Sequence, residues 1–147
     1  MTRNGFTLVE LLVVIAITAL MAGAVVMTVG SPAGGPNDAA SRFASRIGAA
    51  RDAAILGGRP IGVWVSASGY GFDRFDQGRW QPIGVKPFEG ADWARGTQIV
   101  MNGGAERSMR LRFDTVGLPE APAQVSIEQD GRSAKVSIAA NGDVTVG

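Results

Sequence analysis

From Leu11 to Val29 the chain runs nineteen residues without a charge, and most of those positions are apolar. As a helix rising ~1.5 Å per residue the run covers about 28 Å, close to the roughly 30 Å hydrocarbon core of a bilayer. Its length predicts a transmembrane helix. Glu10 stands at its start, where a carboxylate carries a desolvation cost; at mid-bilayer, acidic and basic residues cost ~2.5 to 3.5 kcal/mol on insertion scales. A charge kept in that position calls for a partner.

Gly5-Phe6-Thr7-Leu8-Val9-Glu10, leading into Leu11-Leu12-Val13-Val14-Ile15-Ala16-Ile17, resembles the class III signal of type IV pilins and of the pseudopilins of type II secretion. In that family a membrane aspartyl peptidase, the prepilin peptidase, cuts after the glycine and methylates the new N-terminus. The resemblance implies cleavage between Gly5 and Phe6, N-methylation of Phe6, and an assembly role for Glu10, whose carboxylate meets the terminal ammonium of a neighbouring subunit in a filament. Charge chemistry agrees, since two lone charges in an apolar layer each cost more than a pair.

Two plainer readings compete. Arg3 and the small residues Ala22-Gly23-Ala24 resemble a secretory signal peptide, but Glu10 is awkward in its apolar region and the run continues through Val25, Val26 and Met27. A simple single-span anchor, with Glu10 snorkelling to the interface, leaves the six-residue match unexplained.

Of 147 residues, leader and helix take about thirty, leaving roughly 115, a common size for one domain. The expected organisation is a cleaved leader over residues 1–5, a transmembrane and assembly helix over 6–30, a Pro/Gly linker or kink over 31–36, and a periplasmic globular domain over 37–147. Arg3 precedes the apolar run and no Lys or Arg follows it until Arg42. The positive-inside rule therefore leaves the N-terminus in the cytoplasm and turns the domain outward; in a two-membrane bacterium that is a single pass through the inner membrane with the domain in the periplasm.

Composition excludes several chemistries. The chain has no His and no Cys, which removes Ser-His and Cys-His nucleophile systems and the usual zinc sites. Without Arg3 and Glu10 the remainder keeps 13 basic and 12 acidic residues, so no strong field favours nucleic acid. Arg132 and Lys135 are the only late cations, few for a DNA-binding minor pilin. Asp73 with Asp76, or Glu120 with Glu128, are the carboxylate pairs an anchored enzyme could use, yet their spacing specifies no reaction. No enzyme activity, cofactor or metal is expected. Only Asp143 is acidic in the last fifteen residues, unlike the calcium loop of the major pseudopilin.

Beyond Ser31-Pro32-Ala33-Gly34-Gly35-Pro36, which interrupts helical periodicity, a second helix is expected. Asn37 or Asp38 can cap it, Phe43, Ile47, Ala50 and Ala54 form its apolar stripe, Arg42, Arg46 and Asp52 fall elsewhere, and Gly57-Gly58 ends it. From Pro60 the period changes to two. Strands are expected over 61–66, 70–75, 79–83, 97–101, 109–113, 124–128, 134–139 and 143–146, with hairpin signals at Asp130-Gly131 and Asn141-Gly142. Gly84 to Arg107 reads as a long loop with one short strand, whose aromatics Phe88 and Trp93 either face a partner or tuck under the loop. One amphipathic helix packed on antiparallel sheets is an α+β fold.

The globular part is similar to the minor pseudopilin H and minor pilin group, through Ala49-Ala50-Arg51-Asp52-Ala53-Ala54-Ile55, Trp80-Gln81-Pro82-Ile83 and Phe113-Asp114-Thr115-Val116-Gly117. That resemblance implies a minor pseudopilin of a type II secretion system, with major and minor pseudopilins as filament partners. The alternative it leaves is a minor pilin of a type IV pilus acting in pilus assembly or DNA uptake.

Overall fold

The computed structural model describes residues 8–17, 34–104 and 106–147. It divides into two compact units, Met1–Ala33 and Gly34–Gly147. In the first, residues 8–17 form a helix, α1. Among the described residues no helix is long and apolar enough to cross a membrane. Most of the apolar run, and with it the expected span over 6–30, lies outside the described residues.

The second unit opens with helix α2, Pro36–Gly57. Neither Asn37 nor Asp38 caps it. Gly35 takes the cap position without a side-chain bond and Pro36 occupies the first turn, where a proline's missing N–H costs nothing. Asp38 instead sits inside that turn, accepting the Gly34 N–H at 3.4 Å. The C-terminal end follows expectation: Gly58 is left-handed at φ 57° and returns its N–H to the last carbonyls. The stripe Ala40, Phe43, Ile47, Ala50 and Ala54 is fully buried.

Among the described residues nine strands follow, and they divide between two antiparallel sheets. Sheet A holds β1 (Ile61–Ser66), β2 (Gly69–Asp76), β3 (Arg79–Pro82), β4 (Ala91–Asp92) and β6 (Ser108–Phe113), in the order β3-β2-β1-β6, with β4 also on β2. Sheet B holds β5 (Gln98–Met101), β7 (Ala123–Gln129), β8 (Arg132–Ile138) and β9 (Val144–Val146), in the order β5-β7-β8-β9. The segment 84–107 thus carries two short strands rather than one. A tight turn joins β7 to β8, with Asp130 at φ 51° and Gly131 at φ 72°, as a two-residue hairpin loop requires.

Alternation places Val63, Val65, Phe72, Leu111 and Phe113 of sheet A, and Val125, Ile127, Val136 and Ile138 of sheet B, in one core with the α2 stripe. At ~1.5 to 3 kcal/mol for each fully buried large side chain, this core drives folding of the second unit. Among the described residues of the second unit, the other face of sheet A is lined by its own side chains. A Cβ on Gly71 would meet the Trp64 indole and one on Gly62 the Trp80 ring at 3.2 Å, so the two glycines make room for flat indoles. Arg112 stacks on Trp80 at 5.3 Å. Asp73, a buried charge, is paired with Arg110 at 3.3 Å.

Candidate assembly surface

In α1 every large apolar side chain is exposed, from Ile17 at 49% to Leu8 at 77%, and Glu10 is exposed among them. A helix apolar on all sides is stable where lipid or other protein covers it. The exposed carboxylate of Glu10 is the charged group on that surface. Gly5 and Phe6, the expected processing site, lie outside the described residues.

In the globular unit two of the three motifs that carry the second resemblance, 49–55 and 113–117, meet in space. Asp114 closes a turn after β6 by accepting the N–H of Val116 at 3.0 Å and of Leu118 at 2.8 Å. That turn presents the Gly117 carbonyl to Arg51 of α2, whose Nε donates to it at 3.2 Å. Arg51 also reaches the Asn141 carbonyl at 3.5 Å and lies 3.8 Å from Asp143. Here the turn between β8 and β9 comes so close that a Cβ on Gly142 would overlap the Gly117 carbonyl. Both motifs therefore serve to hold two turns against the end of α2.

By its spacing Arg46 falls off the apolar stripe, yet it reaches over the core. Its Nε donates to the Pro87 carbonyl at 2.9 Å, Nη2 to the Glu89 carbonyl at 2.8 Å and Nη1 to the Tyr70 hydroxyl at 3.1 Å. The guanidinium lies 5.4 Å from the Tyr70 ring centre. Below it the loop aromatics turn inward. Phe88 packs on Phe72 at 5.6 Å, while Trp93 packs on Phe43 at 5.3 Å and donates its Nε1–H to the Ser66 carbonyl at 2.9 Å. Of the two readings of this loop, the structure has its aromatics tucked beneath. The signal for Arg46 was its place three residues after Phe43 and one before Ile47, at the flank of the stripe, where a long stem lies along apolar surface while its head stays polar.

The carboxylate pairs are not assembled. Asp73 and Asp76 are three apart on β2 and face opposite sides, each with its own arginine, Arg110 and Arg59, at 3.3 Å. Glu120 pairs with Arg112 at 3.2 Å, whereas Glu128 belongs to β7 in the other sheet. Arg132 and Lys135 likewise fall on opposite faces of β8. Among the described residues no group of three acidic side chains is arranged to hold a metal ion.

Residues 39–142 match the family described as Type II transport protein GspH, and residues 1–26 the prokaryotic N-terminal methylation motif. The type II secretion system protein H of Pseudomonas aeruginosa is 33% identical over 95 residues, 62% of this chain; the match spans 55%, about half, of that relative's length. The pilin-like protein PilA1 of Thermus thermophilus is 30% identical over 97% of both chains. Among solved structures, the minor pseudopilin EpsH of Vibrio cholerae superposes with a TM-score of 0.65 at 21% identity, covering 76% of this chain and 95% of that one. The type IV minor pilin FimU of Pseudomonas aeruginosa superposes at 0.60 with 18% identity, covering 76% and 87%. These two likenesses speak for the pilin-like fold, while the matches over 1–26 and 39–142 establish the lineage: the chain belongs to the GspH family of type II transport proteins, built behind an N-terminal methylation motif.

Proposed function

We propose that this chain is a minor pseudopilin of a type II secretion system, a structural subunit without catalysis that assembles through its N-terminal helix into the periplasmic pseudopilus driving protein export. The observation that carries the reading is the exposed apolar surface of α1 with Glu10 in it, inside a segment that matches the methylation motif. In this reading the prepilin peptidase cuts between Gly5 and Phe6 and methylates Phe6. The span over 6–30 then anchors the mature chain in the inner membrane, residues 31–36 join it to the domain, and the domain lies in the periplasm. Glu10 pairs with the N-terminal ammonium of a neighbouring major or minor pseudopilin, which fixes axial register where apolar contact alone specifies little.

N-terminal sequencing and intact mass of the protein from membranes of a peptidase-positive host test the processing step. The expected chain starts at N-methyl-Phe6; a start at Met1 or after Ala24 sinks the reading. The similarity to PilA1 and FimU keeps a type IV minor pilin as the second reading. Deleting the gene discriminates the two: loss of secreted protein with surface pili intact supports the first, and loss of pili or of DNA uptake supports the second.

A further inference from the structure

Sheet B ends beside α2 in an open edge. β9 pairs with β8 in the register Val136↔Val146 and Ile138↔Val144, and Lys135 and Gly147 exchange both backbone bonds, at 2.7 and 2.9 Å. Bonded and non-bonded pairs alternate along an antiparallel ladder. Thr145 therefore turns its N–H and C=O toward β8, while Val144 and Val146 turn theirs outward. Among the described residues no backbone or side-chain group takes up those outward donors and acceptors.

Next to this edge lies a groove of about 540 Å³, walled on one side by Ala44, Ser45, Gly48 and Asp52 of α2 and on the other by the start of β9. Nothing stands within 4 Å of where a Cβ on Gly48 would project, so another backbone can come close to the helix. Val144 packs partly against the core, whereas Val146, on the same face, is 43% exposed. The inner face of sheet B thus extends past the cover that α2 provides.

We infer that this edge receives an extended segment of another pilin-family subunit, which adds to sheet B as a fifth strand between β9 and the α2 wall. Hydrogen-bond complementarity defines the guest. Outward groups on alternate residues, spaced by about 6.8 Å, match an extended backbone; a helix has already satisfied its own backbone, and a lipid chain offers no donors. The guest's inward side chains meet Ala44 and Gly48, so small or β-branched apolar residues fit there. Self-pairing of two β9 strands leaves the helix wall of the groove uncovered. The inference rests on the assembly reading above and adds where a partner docks.

Proline at Val146 makes the test specific. Its N–H faces away from β8, so Val146→Pro deletes one outward donor and leaves the ladder in place, as edge prolines do. Val146→Thr keeps the donor. With a benzoyl-phenylalanine photo-crosslinker at Ser45 of the full-length chain, in cells that build the whole machinery, we expect a cross-link that mass spectrometry maps to an extended segment of a different pilin-family subunit. Val146→Pro should weaken it about tenfold, the scale set by one unmade hydrogen bond, and Val146→Thr should leave it unchanged. Absence of the cross-link, indifference to Val146→Pro, or a cross-link to a second copy of this chain overturns the inference. N-terminal sequencing of the same samples separates the failures: a mature start at Phe6 alongside any of those results rejects the edge site alone, while any other start removes the assembly reading beneath it.

Discussion

Replacing Arg46 with methionine keeps a long apolar stem on the core but removes the head that holds the loop over 84–93. Two of its three bonds, to the Glu89 carbonyl at 2.8 Å and the Tyr70 hydroxyl at 3.1 Å, are partly buried, and the third, to Pro87, is exposed. At the low end for hydrogen bonds to a charged group, ~1.5 kcal/mol each, the two partly buried bonds are worth about 3 kcal/mol. The freed carbonyls can turn to water, which returns part of this, so the expected net loss is about 2 kcal/mol. In a fragment of residues 34–147, which contains the whole core, that loss lowers Tm by about 8 °C. Local opening is more diagnostic. The Trp93 N–H is bonded to the Ser68 carbonyl at 3.0 Å and the Phe88 N–H to Val85 at 2.8 Å, and 2 kcal/mol speeds exchange at these amides about 30-fold. Arg46→Lys should restore less than half of the loss, because a single ammonium cannot span two carbonyls and a hydroxyl as the guanidinium fork does. Unchanged amide exchange with a Tm within about 2 °C of wild type, or full rescue by lysine, refutes the clamp.

Other substitutions probe the remaining links. Phe43→Ala empties the centre of the core beneath Tyr70 and Trp93, and urea unfolding of the same fragment should show a loss of about 3 to 5 kcal/mol. Gly131→Ala, with open space around its φ of 72°, should cost about 1 to 2 kcal/mol. Gly142→Ala should cost clearly more, because its Cβ overlaps the Gly117 carbonyl; equal costs would show that the two turns can part freely. Glu10→Leu should leave insertion and cleavage intact but reduce cross-linking to the major subunit and lower secretion, since breaking a buried ion pair costs ~3 to 5 kcal/mol. Cross-linking and secretion equal to wild type would reject the pairing role.

Local chemistry alone determined the elements whose signals lie within a few residues of one another. The α2 stripe repeats every three to four residues, Gly58 supplies the left-handed cap, and Asp130-Gly131 fits a turn with positive φ at both positions. The late strands alternate cleanly, since each buries one face. The start of α2 departs from its local signals because Asn37 and Asp38 are good caps in isolation, while Pro36 already fits the first turn and moves the cap to Gly35. Tertiary structure decided how the strands divide between two sheets, with β6 crossing to β1 and β5 to β7. Register between distant segments depends on summed packing and loop closure, which leave no local trace. It also decided the fate of Arg46, Arg51, Phe88 and Trp93. Periodicity reports which side of an element is buried, but a long side chain chooses its partner from whatever carbonyl or ring the rest of the chain brings within reach. The open edge of β9 has the same origin, for it is set by which of the described strands pair beside it, β8 alone.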